Sequence, residues 1–110
     1  RDKAMLEGLK EAISVPLNGM RTASKAWEFM IAMSKIGNIK SMSDLQVGAK
    51  CLETGIWGCY QNVLINMGDI KDEAYKTEVL GEAEEIIKKS QESLQVVLDN
   101  LKARKDAGEN

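Results

Sequence analysis

The stretch from Ser41 to Asn66 constrains the fold more than any other part of the chain. It places Gly48, Gly55 and Gly58 among residues that otherwise favour a helix. Read at steps of three and four, its small residues form one stripe of Gly48, Cys51, Gly55 and Gly58/Cys59. That stripe runs from Asp44 at one end to Asn62 and Asn66 at the other. A second stripe, Leu45, Ala49, Leu52, Ile56, Tyr60 and Val63, is an ordinary apolar face. A glycine inside a helix costs about 1 kcal/mol against alanine, so three of them need a compensating role. Two compatible roles stand open. One is close approach of a neighbouring helix. The other is a groove floor shallow enough for a flat ligand, since helix bundles build sites between facing helices.

Upstream, Leu6, Leu9, Ile13, Leu17, Met20, Ala23, Trp27 and Met30 keep one helical phase between Met5 and Lys35. The phase carries across Pro16, which predicts one long helix kinked there, with two helices broken at Pro16 as the alternative. The proline removes the hydrogen bond to the Ala12 carbonyl and crowds that turn. Gly37 is the expected stop, and Asn38 tolerates the same left-handed backbone. Ser41 or Ser43 is the expected N-cap of the central helix, with Asp44 in its positive first turn.

Gly68 closes the central helix, and Asp69 or Asp72 caps the next, with Glu73 in its first turn. Val79, Ala83, Ile86, Ser90, Leu94, Val97 and Leu101 then follow at nearly heptad spacing, opposite a charged face. Beyond Lys102 the apolar positions stop, so the boundaries expected are a helical unit over 1–103 and a frayed tail over 104–110. The fold class is all-α: long antiparallel helices forming part of a helical bundle. Trp27, Met30, Met33 and the small-residue stripe exceed what three helices can bury. They call for further helices or a dimer mate.

Composition removes several classes of function. With 15 basic and 17 acidic residues and a net charge of −2, the 110-residue chain lacks the basic excess of a nucleic-acid binder. No apolar run reaches the roughly 18 residues of a membrane span, and no signal peptide is visible. Cys51 and Cys59 would stand about 12 Å apart in helical rise, too far for a disulfide, so they read as small buried thiols in a reducing compartment, the cytoplasm being the default. The chain has no histidine, which excludes a Cys-His nucleophile or a His-based metal site within it. No metal constellation or phosphate loop appears. The opening Arg1-Asp2-Lys3 reads as mid-helix, as in a piece of a longer protein.

Acid–base work would fall to carboxylates, lysine or tyrosine, and Asp44, Lys50 and Tyr60 are the candidates beside the stripe. Asn62 and Asn66 form an i, i+4 pair of amides that suits the hydrogen-bonding edge of a heterocycle or an interhelical bridge. Ser43-Asp44 serves as a cap or as a pocket edge. Lys50, with Arg21 and Lys25, would meet an anionic tail or simply stay solvated. Met20, Met30 and Met33 read as core filler.

The runs Ser43-Asp-Leu-Gln-Val-Gly-Ala-Lys50, Gly55-Ile-Trp-Gly-Cys-Tyr-Gln-Asn-Val-Leu-Ile-Asn66 and Asp69-Ile-Lys-Asp-Glu-Ala-Tyr-Lys76 resemble the formimidoyltransferase-cyclodeaminase family. Specifically they resemble the second half of its all-helical cyclodeaminase domain, in animal-type members. Ala12-Ile-Ser-Val-Pro-Leu17 and Gly37-Asn38 fit as well, so the likeness extends to about Lys102. The resemblance implies conversion of 5-formimidoyl-tetrahydrofolate to 5,10-methenyl-tetrahydrofolate and ammonia, in histidine breakdown. A tetrahydrofolate derivative is then the substrate, with no metal, and polyglutamate folate, the upstream half of the domain and a homo-oligomer are the partners. The family's proposed acid–base aspartate lies in that upstream half. No catalytic residue is therefore assigned here, and the chain alone is expected to be inactive. Ser43, Asp44, Asn62, Asn66, Lys50 and Tyr60 are expected to line or support the substrate pocket. The alternatives are a non-catalytic helical interaction module derived from that domain, or a methenyltetrahydrofolate cyclohydrolase as in bacterial relatives.

Overall fold

A computed structural model describes residues 1–109. Four helices, α1 (Asp2–Ser24), α2 (Ala26–Ile36), α3 (Met42–Met67) and α4 (Glu73–Asp106), account for nearly all of them, and no strand occurs among the described residues. α1 and α2 continue one another in one direction, α3 returns antiparallel, and α4 runs parallel to the first pair. Gly19 lies against Cys59 and Gly48 against Met30, which fixes the antiparallel register of α3. Lys10 pairs with Asp72, Arg21 with Glu82 and Ser34 with Asn100, which fixes the parallel one. The result is a rod of 64 × 18 × 17 Å.

The apolar stripes of the three long segments meet along its axis. Ile13, Leu17, Met20 and Trp27 are buried with Ala49, Ile56 and Val63 of α3 and with Val79, Ala83, Val97 and Leu101 of α4. Ile70, in the α3–α4 connection, closes one end. The apolar stripe expected on α3 therefore faces the core, and so does the near-heptad stripe of α4.

The first helix passes Pro16 without a break. The interruption comes at Lys25 instead. The Ser24 hydroxyl donates to the Arg21 carbonyl at 2.8 Å, the acceptor that the Lys25 N–H would otherwise use. The Lys25 N–H turns to the Thr22 carbonyl at 3.3 Å, tightening one turn. Burial of Ile13 and Leu17 on the inner side holds the proline turn closed.

The connection after α2 also differs from expectation. Gly37 ends the helix in an extended conformation (φ −66°, ψ 168°), not a left-handed one. Ser41 takes the N-cap position of α3, one of the two expected, but its side chain makes no capping hydrogen bond. Asn38 caps the preceding 3-10 turn (Ile39–Ser41), its Oδ1 accepting from the Lys40 N–H at 3.0 Å. At the next junction Asp72 caps α4, accepting from the Tyr75 N–H at 3.1 Å. α4 then continues helically past 103 to Asp106. Arg104, in the stretch expected to fray, reaches the carbonyls of Gly37 at 2.8 Å and Ser34 at 3.3 Å. These otherwise unpaired acceptors at the end of α2 supply the reason for the longer helix.

Candidate functional site

A shallow groove of about 500 Å³ lies between α1 and α3, lined by Ala12, Val15, Pro16 and Gly19 on one side and Cys59, Asn62 and Asn66 on the other. Its size falls within the usual range for small-molecule sites. The groove runs along the edge of the α1–α3 contact, beside the buried Ile13, Leu17 and Met20, where α1 carries the small residues Ala12 and Gly19. Gly19 allows the approach: a Cβ built there would sit 3.1 Å from the Cys59 Sγ. Val15, 70 % exposed, forms the outer lip.

The polar groups of the groove are few. Asn66, half-buried, donates its Nδ2 to the Asn62 carbonyl at 3.0 Å, which fixes its amide and leaves Oδ1 as an acceptor. Asn62 is exposed, and its side-chain amide takes no partner among the described residues. On the facing helix, Pro16 has no N–H to give, so the Ala12 carbonyl lacks its i+4 donor. The walls are apolar and the hydrogen-bonding capacity sits at these three residues.

The structure brings together only part of the set picked out from the sequence. Asn62 and Asn66 share the groove. Ser43 and Asp44 stand at the other end of α3, about 27 Å of helical rise away, and both are exposed. Lys50 is also exposed, and Tyr60 packs its ring against the buried core rather than into the groove. The small-residue stripe divides similarly. Gly48 faces the Met30 methyl at 3.5 Å, whereas a Cβ on Gly55 or Gly58 would meet nothing within 4 Å.

Ala12, Val15, Pro16 and Gly19 were not among the candidates. Their signal was present, since Ala12, Val15 and Gly19 recur at helical spacing as one slender face. Cys59 was seen only as part of the stripe.

Charged groups with shifted titration lie outside the groove, and two sets of them join α1 to α4 or to its N-cap. The Arg21 guanidinium takes Glu82 through two nitrogens, one of them at 2.6 Å, and also takes the Asn18 carbonyl oxygen of the side chain at 2.8 Å. This pairing holds the Glu82 carboxyl below its ordinary value. The Asp72 carboxyl is lowered first by the Tyr75 N–H it caps and then by Lys10, 3.3 Å away. The Lys10 ammonium also lies 4.6 Å from the centre of the Tyr75 ring. No group of three or more potential metal-ligating side chains occurs among the described residues. No helix is long and apolar enough to cross a membrane, again among the described residues.

Comparison with known proteins gives a consistent picture. The Formiminotransferase-cyclodeaminase family profile matches residues 1–85. The formimidoyltransferase-cyclodeaminase of Dictyostelium discoideum is 47% identical over 106 residues, 96% of this chain and 20% of its own length. The Rattus norvegicus protein of that name is 39% identical over 106 residues, again 96% and 20%. The Sus scrofa protein is 40% identical over 104 residues, 94% of this chain and 19% of its own. The chain thus spans about a fifth of the length of the curated relatives it matches.

Proposed function

The chain belongs to the formiminotransferase-cyclodeaminase family, and from that premise we propose that it supplies one wall of a cyclodeaminase active site. The reaction is conversion of 5-formimidoyl-tetrahydrofolate to 5,10-methenyl-tetrahydrofolate and ammonia. N10 of the folate attacks the formimidoyl carbon, and the amine nitrogen leaves as ammonia after protonation. The chain's part is binding. The groove between α1 and α3 takes the flat pterin, with Asn62 and Asn66 at its polar end.

The single observation that carries this reading is that Asn62 and Asn66 both line the groove between α1 and α3. Ser43, Asp44 and Lys50 stand at a separate end of α3, where a folate tail or a neighbouring chain would meet them. Tyr60 supports the wall from the core side. The proton donor and acceptor come from helices outside this chain, and the groove is open on the side where they would pack. Phe29, Met33 and Ile36, exposed at successive turns of α2, offer a second apolar face to further helices or to another copy in a homo-oligomer. Free thiols at Cys51 and Cys59 suit a cytoplasmic setting.

Reconstitution tests the proposal. The chain is mixed with the preceding cyclodeaminase segment of a relative, and ammonia release from 5-formimidoyl-tetrahydrofolate is followed. Release from the mixture and none from either piece alone is expected. Stable association without turnover would replace the enzyme reading with that of an interaction module. Turnover of methenyl-tetrahydrofolate by water, without ammonia release from the formimidoyl substrate, would point to a cyclohydrolase.

A further inference from the structure

Asn18 is the one asparagine of the sequence that a glycine follows; Asn38, Asn62, Asn66 and Asn100 precede Ile39, Val63, Met67 and Leu101. That pair has its own chemistry. The backbone nitrogen after an asparagine can attack the side-chain Cγ, and glycine, without a side chain, hinders the approach least. Asn18 is exposed, and its Oδ1 accepts from the Arg21 guanidinium at 2.8 Å.

Inside α1 the attack is blocked. Residue 19 of a continuous helix spends its N–H on the Val15 carbonyl. The Asn18 ψ must also leave the helical value of about −42° before nitrogen and Cγ can meet. Yet the turn that imposes this block is the weakest of α1. It contains Pro16 and closes at Gly19, the two residue types a helix interior tolerates least, three positions apart. Leu17 and Met20, both buried, hold its inner side. On its outer side there is only Arg21, which Asn18 shares with Glu82.

We propose that Asn18 is a deamidation site, kept latent by this turn and released when the turn opens locally. The Gly19 nitrogen then bonds to the Asn18 Cγ and the Cγ–Nδ2 bond breaks. Nδ2 leaves as ammonia, taking the proton of the Gly19 N–H, and a succinimide remains. Water opens that ring in one of two places. Attack at Cγ gives aspartate; attack at the main-chain carbonyl carbon gives isoaspartate, whose chain runs through Cβ and Cγ. Aspartate stays within reach of Arg21. Isoaspartate lengthens the main chain by one carbon, so α1 cannot keep its register on both sides. The register lost is that of Gly19 against the Cys59 Sγ, where α1 rests on α3 beside the groove. The modification does not depend on what the groove binds.

The test holds the chain in mildly alkaline buffer, with and without guanidinium chloride, and maps its peptides by mass. Isoaspartate is identified by its labelling with an isoaspartyl methyltransferase. In denaturant, Asn18 is expected to convert before any other asparagine, and Gly19→Ala to slow it about tenfold. Without denaturant, conversion is expected to be slower but still confined to Asn18. Pro16→Ala should slow it there about threefold further, with no effect in denaturant. Ser34→Ala weakens the α2–α4 contact and leaves the turn alone, so it should not change the rate in the folded chain. The separated isoaspartate form should unfold at lower denaturant than the aspartate form. If Asn18 converts no faster than the other asparagines in denaturant, it is not a deamidation site. If it stays intact without denaturant, or if Ser34→Ala speeds it in step with lost stability, the turn is not the latch. Equal unfolding midpoints for the two products would overturn the lost register.

Discussion

A Cβ placed on Gly19 would come within 3.1 Å of the Cys59 Sγ, the tightest approach between α1 and α3 that a glycine makes possible. Gly55 and Gly58, on the same pair of helices, face open space. Replacing them by alanine should therefore recover most of the helical preference, about 0.5–1 kcal/mol each. Gly19→Ala gains the same preference but must displace the sulfur from a packed contact. It should be at least about 1 kcal/mol less stable than Gly55→Ala. Urea midpoints of the three variants decide the matter, and equal stabilities for Gly19→Ala and Gly55→Ala would show that the approach is loose.

Two buried serines make opposite predictions. The Ser34 hydroxyl donates to the Ile31 carbonyl at 2.6 Å and accepts from Asn100 at 3.0 Å, tying α2 to α4. Ser34→Ala leaves the Asn100 amide without that acceptor and should cost about 1–3 kcal/mol. The Ser90 hydroxyl is buried without a partner among the described residues. Ser90→Ala removes that uncompensated group and should be neutral or stabilising by about 1 kcal/mol. Thermal unfolding of the pair is the check. A loss at Ser90 as large as that at Ser34 would mean its hydroxyl has a partner in solution.

Acid should weaken the links between α1 and α4 in a defined direction. The folded-state pKa of Glu82 is depressed by Arg21, and that of Asp72 by its cap to Tyr75 and by Lys10. A depressed carboxylate contributes stability above its unfolded pKa of about 4, and the contribution disappears as pH falls through the folded value. Glu82→Gln should therefore flatten the decline in urea midpoint below about pH 4, more so at low salt because the pair is partly exposed. Asp72→Asn keeps a capping oxygen and isolates the Lys10 contribution. An acid decline unchanged in both variants would place the sensitive carboxylates elsewhere.

The periodic parts of this fold were legible because burial imposes them. Leu45, Ala49, Ile56 and Val63 on α3, and Val79, Ala83, Val97 and Leu101 on α4, are apolar at the spacing that brings them to one core. The groove was only half legible. Asn62 and Asn66 announce themselves by their i, i+4 spacing on one helix. The wall they face depends on which side of α1 meets α3, and no local pattern states that register. Three glycines on α3 drew the expectation of close packing to that helix, yet only Gly48 meets a neighbour, and the tightest approach uses Gly19 of α1. The cap position was legible but not its bonding. Ser41 stands at the N-cap of α3 without a side-chain bond, because the 3-10 turn begun by Asn38 has already engaged the Ser41 and Met42 N–H groups.

Arg104 gives the last test of how the ends of the rod hold together. Its guanidinium bonds the Gly37 and Ser34 carbonyls of α2 and the Glu109 carboxylate, with only 15% of its side chain exposed. The two carbonyls belong to the last turn of α2, where no helical donor remains for them. Arg104→Ala should lower the thermal midpoint, because the Gly37 and Ser34 carbonyls lose their charged donor. Arg104→Lys should recover little, because one ammonium cannot reproduce a planar fork reaching two carbonyls and a carboxylate. Hydrogen exchange locates the effect: amides from 37 to 41 and from 103 to 107 should lose protection together in Arg104→Ala. Loss confined to 103–107 would mean that α2 holds its own end, and that Arg104 stabilises only the C-terminus of α4.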